Sequence, residues 1–251
     1  MRNLLKHLPN ALTSLNLLSG SLAVPLALTG YLRESGLLIL LGFLFDLSDG
    51  TIARLLKAQS PLGKELDSLA DVITFGLAPA TLLFGIQQEL IPREPFGLQM
   101  PAGQLLISLV PFILPVFAGL RLANFNIDER QAHCFIGLAV PANGLMVLAL
   151  PLILTYQPDS FLVTWLESGL FIPVYAILVS FLMISPIRLY SLKINGFSWK
   201  QNRFTYLFLL MAVLLVILFR FNGLFLVVPV YILYGAILEA RLSQVRPKPG
   251  S

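Results

Sequence analysis

Charge is what this sequence has least of: Asp, Glu, Lys and Arg make up 12% of its 251 residues, where a soluble domain usually carries about 25%. With 57% hydrophobic residues beside that deficit, an ordinary globular domain is excluded and an integral membrane protein is expected. Cysteine is nearly absent. Cys134 alone cannot close an intramolecular disulfide or supply a paired-thiol metal or redox site. His7, His133 and Cys134 are scattered and are assigned no chemistry. Internal repeats and low-complexity tracts are missing too. The basic start "MRNLLKHLPN" runs into an apolar stretch too long for a signal peptide, and so reads as a cytoplasmic lead into a first membrane helix.

What is present is a series of apolar runs of about 20 residues, the length that crosses a bilayer. They fall near 11–32, 36–55, 68–88, 103–123, 136–156, 168–187, 204–220 and 222–240. The expected fold is therefore all-α, a polytopic bundle of about eight transmembrane helices in a single domain, 1–251. Its core is 9–193, followed by two further helices over 204–240 and a polar tail, 241–251. The stretch "SFLVTWLESG" is expected as a short interfacial piece, and "RFNG" as the turn of the last hairpin, through Asn222 and Gly223.

Basic residues orient the bundle. With the N-terminus inside, Arg2, Lys6, Arg54, Lys57, Lys64, Arg121, Arg130, Arg188, Lys193, Lys200, Arg203, Arg241, Arg246 and Lys248 lie on the cytoplasmic side, against Arg33, Arg93 and Arg220 outside. That bias predicts a multi-pass protein of the cell (inner) membrane with both termini in the cytoplasm.

Against this apolar background stands "FDLSDGTIARLLKAQSPLGKELDSLADV". Asp46 and Asp49 are three apart and Asp67 and Asp71 four apart, so each pair shares a helix face. Pro61 and Gly63 in the connection let the chain turn back, bringing four carboxylates together. Four anions in contact cannot all stay ionised without cations. Oxygen-only ligands in this number suit two divalent ions, Mg²⁺ or Mn²⁺, a pair able to clamp a pyrophosphate. Gly50 and Ala53 leave room for a flat base or ribose, Arg54 suits phosphate oxygens, and Ser60 places a hydroxyl at the rim. The plain alternative, solvated helix-end charges, does not explain four ionisable groups at two helical spacings inside apolar runs.

The stretch resembles, without a gap, the signature of the CDP-alcohol phosphotransferase family, D-x-x-D-G-x-x-A-R, eight residues, then G-x-x-x-D-x-x-x-D. Asp46, Asp49, Gly50, Ala53, Arg54, Gly63, Asp67 and Asp71 fill its fixed positions. The resemblance implies a membrane-embedded, two-metal enzyme that moves a phosphatidyl group from CDP-diacylglycerol to an alcohol and releases CMP. In it Asp46 and Asp67 would bridge the metals, Asp49 would complete one site, and Asp71 would bind the other metal and act as base. Gly50, Arg54 and Ser60 would hold the nucleotide, with Asn10, Thr13, Ala53 and Gly63 beside them. "LPNALTSLNLLSGSLA", "LDSLADVITFGLAPA", "GLRLANFN", "FIGLAVPAN" and "FLMISPIRLYSLK" are similar to the phosphatidylserine synthase branch, which implies L-serine as acceptor, membrane lipid as surroundings, a homodimer and no nucleic-acid partner. Asn124 stands where that branch often has a second arginine, and Ala139 where it commonly has proline.

Several residues carry two readings. Arg121, with Asn124 and Asn126, either meets the serine carboxylate or anchors a helix at the cytoplasmic face. Asn143 either lines the pocket or bonds to a neighbouring helix. Asn10 and Thr13 either reach the nucleotide or cap the first helix. Pro79 is expected to bend the third helix and admit acyl chains. The rival functions are the same chemistry with glycerol phosphate or inositol phosphate as acceptor, and a divalent-cation transporter. The edge position of the aspartates speaks against transport.

Overall fold

The computed structural model describes residues 7–91, 97, 100–127, 135–190, 192 and 198–245. Among the sequence expectations, Arg2, Lys6, Arg93, Arg130, His133, Cys134, Lys193, Arg246 and Lys248 lie outside the described residues.

Every apolar run expected to span is helical. The chain forms α1 (Leu8–Leu28), α2 (Leu32–Leu55), α3 (Pro61–Asp71), a π-helical turn (Val72–Leu77), α4 (Ala78–Leu90), α5 (Ala102–Leu109) and α6 (Ile113–Ile127). It continues through α7 (Val140–Tyr156), α8 (Phe161–Glu167), α9 (Phe171–Ile184), α10 (Trp199–Phe219) and α11 (Phe221–Val245). Six stretches of the described residues are long and apolar enough to cross a membrane, and seven if α7 and α8, bent by 103°, count as one. The remaining expected span, α9, is an apolar helix of 14 residues. The piece expected at "SFLVTWLESG" is α8. A two-residue antiparallel pair, Phe135–Ile136 with Arg188–Leu189, ties the entry of α7 to the exit of α9.

The helices are sided in the opposite sense to those of a soluble protein. Helix α1 buries Thr13, Asn16, Ser19, Gly20, Ala23 and Ala27 and exposes Leu15, Leu18 and Leu22. Helix α2 buries Ser35, Gly36, Ile39 and Gly42 and exposes Leu37, Leu41 and Leu44. In lipid, leucine gains nothing by facing another helix, whereas small residues let backbones approach and hydroxyls find partners. The Ser35 hydroxyl donates to the Ala23 carbonyl at 2.8 Å, and the Thr74 hydroxyl to the Asn16 carbonyl at 3.0 Å. At this crossing a Cβ on Gly20 would fall 2.6 Å from the Thr74 Cα, and one on Gly42 would fall 2.5 Å from its Cγ2.

Three local expectations are corrected. The reversal between α2 and α3 is made by Lys57, whose φ is +49°, while Gly63 sits in the first turn of α3. Pro61 opens that helix and Ser60 caps it, accepting from the Gly63 N–H at 3.0 Å. The last hairpin turns at Arg220, φ +53°, and Asn222 and Gly223 belong to α11. Gly223 is needed for closeness, since a Cβ there would overlap the Leu215 carbonyl. Finally, Asn10 and Thr13 lie inside α1 and do not cap it.

Pro79 explains a buried polar chain. Proline has no N–H to give the carbonyl four residues earlier, which is that of Phe75. Asn143 supplies the missing donor at 2.8 Å, and the Tyr175 hydroxyl in turn donates to Asn143 at 2.9 Å. Asn143 is fully buried, so of its two readings the interhelical bond is the one observed. Replacing Asn143 by Leu leaves the Phe75 carbonyl and the Tyr175 hydroxyl without partners. It should cost about 1–2 kcal/mol, read as a lower melting temperature in detergent. An unchanged melting temperature would mean that this bond carries no stability.

Candidate active site

The aspartates converge as their spacing predicts. Asp46 and Asp49 project from the end of α2, Asp67 and Asp71 from α3. Ligand oxygens of Asp46, Asp49 and Asp67 all lie within 4.8 Å of one another. Asp49 and Asp71 are buried, Asp46 and Asp67 half-buried. The Thr13 hydroxyl of α1 donates to Asp49. Asp71 stands slightly apart from the trio, within electrostatic reach of Asp46, Asp67 and the Arg121 guanidinium of α6. One oxygen each of Asp67 and Asp71 is buried without a hydrogen-bond partner. Orphaned carboxylate oxygens at a like-charged cluster are what a hard cation would satisfy, and an all-oxygen donor set fits a divalent metal ion.

Beside the cluster opens a cavity of about 770 Å³. Of the residues singled out in the sequence, Asn10, Thr13, Asp49, Gly50, Ala53, Arg54, Ser60, Gly63 and Asp67 line it. A Cβ added at Gly50 would meet no atom within 4 Å, so the glycine leaves a bare stretch of helix open to the cavity. Gly63 serves differently: a Cβ there would press on the Asn10 amide at 2.9 Å. The cavity has further walls in Pro9, Ala58, Gln59, Pro61, Lys64 and Phe125. Gln59 and Phe125 were not singled out from the sequence. Gln59 lies in the variable part of the signature, and Phe125 one helical turn beyond Arg121, so helical spacing from Arg121 was the available signal.

The expected serine-site residues separate. Arg121 is buried at 7% exposure, within electrostatic reach of Asp71, and its guanidinium lies 5.5 Å from the Phe125 ring centre. Asn126 is committed to α3: its amide donates to Ser68 at 2.9 Å, and its carbonyl accepts from Lys64 at 3.0 Å. Asn124 is exposed and does not line the cavity.

A sequence model of CDP-alcohol phosphatidyltransferase matches residues 6–240. The chain belongs to the CDP-alcohol phosphatidyltransferase family. Among relatives in this family, the CDP-diacylglycerol–serine O-phosphatidyltransferase of Bacillus subtilis is 32% identical over 154 residues, covering 61% of this chain and 79% of that protein. The enzyme of the same name from Saccharomyces cerevisiae is 36% identical over 166 residues, 60% of this chain and 54% of that protein. The one from Methanocaldococcus jannaschii is 36% identical over 177 residues, 70% of each chain. The match thus spans little more than half of the yeast protein's length.

The carboxylate cluster makes a prediction about stability. Mn²⁺ at about a hundred times its dissociation constant should stabilise the purified protein by about 2.7 kcal/mol, seen as a rise in melting temperature. Asp67→Asn should abolish that rise, and without metal should itself melt no lower, because one repelling charge is gone. Equal stabilisation of both proteins by Mn²⁺ would place the ion elsewhere.

Proposed function

We propose that this protein transfers the phosphatidyl group of CDP-diacylglycerol to the hydroxyl of L-serine, giving phosphatidylserine and CMP. The observation that carries it is the trio of Asp46, Asp49 and Asp67 beside a cavity walled by the signature residues, with Asp71 set next to a buried arginine. The names of the relatives add the acceptor.

On this reading Asn10, Thr13, Gly50, Ala53, Arg54, Ser60 and Gly63 receive the CDP portion. Gly50 and Ala53 give it a surface without bulk, and Arg54 gives its phosphates a planar cation. Two divalent ions, Mg²⁺ or Mn²⁺, held by Asp46, Asp49, Asp67 and Asp71, would neutralise charge on the reacting phosphate and on departing CMP. Asp71 accepts the serine hydroxyl proton. The serine oxygen bonds to the phosphorus that carries diacylglycerol, and the anhydride bond from that phosphorus to CMP breaks, CMP keeping the electron pair. Arg121 holds the serine carboxylate. Asn124, exposed and off the cavity, and Asn126, occupied by Ser68 and Lys64, have less part in it.

Orientation follows from charge. Arg54 and Lys64 border the cavity and Lys57 forms the turn beside it, so the site opens to the cytoplasm of the cell (inner) membrane, with both termini on that side. The chain works as one domain, supported by a core that joins α1 to Phe225 and Val228 of α11. The homodimer rests on the family resemblance alone.

The decisive assay is CMP release by the purified protein with CDP-diacylglycerol and Mn²⁺ or Mg²⁺, comparing L-serine, glycerol 3-phosphate, inositol phosphate and no acceptor. Metal-dependent release with serine is expected. Release with another acceptor alone would keep the chemistry and discard serine. Asp71→Asn should bind CDP-diacylglycerol yet turn over at least about a hundredfold more slowly; near-normal turnover would remove it as the base. Gly50→Ala meets open space and gains helix propensity of up to about 1 kcal/mol, so its melting temperature should hold or rise. Its affinity for CDP-diacylglycerol should nevertheless fall, and unchanged affinity would mean that the substrate does not touch this helix face.

A further inference from the structure

Helices α10 and α11 carry none of the signature, yet Tyr231 of α11 stands within electrostatic reach of Arg121. The Tyr231 hydroxyl donates to the main-chain carbonyl of Tyr190 at 3.1 Å, just past the short strand Arg188–Leu189. Its ring meets Phe208 of α10 edge-on, centroids 5.5 Å apart. Held there, it stands within electrostatic reach of the Arg121 guanidinium, as does Asp71.

Arg121 is the unsatisfied member of this group. It is 93% buried, its Nε has no partner, and among the described residues no hydrogen bond or ion pair reaches it. Asp71, the nearby carboxylate, also keeps a buried oxygen without a partner. A buried cation held short of contact with any anion is costly, and the guanidinium fork matches a carboxylate in bidentate fashion. Tyr231 adds the complementary feature. With its one O–H committed to Tyr190, its phenol oxygen can only accept, which suits an ammonium group. Phe125 lies against Arg121 and also lines the cavity, so the guanidinium borders the site's wall.

We propose that Tyr231 of α11 is a specificity-determining residue of the acceptor subsite, forming with Arg121 a pocket for a zwitterionic hydroxy-amino acid. The proposal deepens the transferase reading above and rests on it. Arg121 takes the carboxylate, Tyr231 accepts from the ammonium, and the hydroxyl is left towards Asp71.

The test measures CMP release by the full-length protein at varied L-serine and at varied L-serinamide, in which a neutral amide replaces the carboxylate. The wild type should use L-serinamide at least about tenfold less efficiently. Tyr231→Phe keeps the ring and its contact with Phe208. It should raise the KM for L-serine about tenfold, the worth of one hydrogen bond, while leaving the KM for CDP-diacylglycerol unchanged. Leu218→Ala alters an exposed position near the turn of the same hairpin and should leave the L-serine KM within about twofold. An unchanged L-serine KM in Tyr231→Phe, an equal rise for both substrates, or the same effect from Leu218→Ala would overturn the proposal, as would equal use of L-serinamide by the wild type. Wild-type protein that releases no CMP with serine would overturn the transferase reading itself. Wild-type release with an indifferent Tyr231 variant would overturn only the role given to α11.

Discussion

Four carboxylates crowded where two helices of an apolar bundle meet are the constraint on which the rest of the structure turns. Like charges at such separations repel strongly once water is reduced around them, so the helices that carry them must be held together by something else. That something is close backbone contact. Gly20, Gly42 and Thr74 let α1, α2 and the π-helical turn approach to distances that even one added methyl would forbid. The same approach brings Thr13 within hydrogen-bonding reach of Asp49. Small residues thus serve the acidic site indirectly, by fixing the helices whose ends carry it.

The π-helical turn Val72–Leu77 comes directly after Asp71. An extra residue in one turn shifts the phase of everything that follows. Before it, α3 has an apolar face and an acidic one; after it, α4 is buried from Ala78 to Gln87. Phase-shifted in this way, Thr74 meets α1 while Phe75 packs on Gly144. The carbonyl that Pro79 cannot serve points to Asn143. A single helix therefore changes from a partly exposed, acid-bearing element to a core element within two turns, and the polar cost of the change is met by one asparagine and one tyrosine.

Much of this was legible in the sequence, and the parts that were not share a cause. The apolar runs and the two aspartate spacings depend on helix periodicity and bilayer thickness, which are local. So do the cavity-lining positions of Gly50, Ala53 and Arg54, which follow from their spacing from the aspartates on α2, and that of Ser60, which follows from its place beside the loop proline. Asn143 stayed ambiguous because its partner is a carbonyl 68 residues away, orphaned by a proline. Lys57 and Arg220 make turns in left-handed conformations that their side chains do not advertise, whereas Gly63 and Gly223, which looked like turn residues, are kept for close contacts. Asn124 and Asn126 were grouped with Arg121 by adjacency. On α6 neighbouring positions point in different directions, so only Arg121 is directed to the acidic cluster while Asn126 binds α3. Tyr231 was invisible, since its relation to Arg121 joins two helices 110 residues apart.

The C-terminal hairpin is held at both ends, and this matters for what it can do. At its turn, the Gln157 side chain accepts from the N–H groups of Phe221 and Asn222, satisfying donors that open α11, while the Ser160 hydroxyl donates to Asn222 at 2.6 Å. Ten or so residues further on, about 15 Å along the helix, Tyr231 binds the Tyr190 carbonyl and the Gly235 carbonyl accepts from the Tyr190 N–H. Residue 190 follows the strand that pairs with Phe135–Ile136, immediately ahead of α7. The hairpin, the β pair and α7 therefore form a closed circuit of hydrogen-bonded contacts. An element fixed only at its turn would swing in lipid; one fixed twice presents Tyr231 at a constant height. Helices without a signature can in this way belong to the site as firmly as those that bear it.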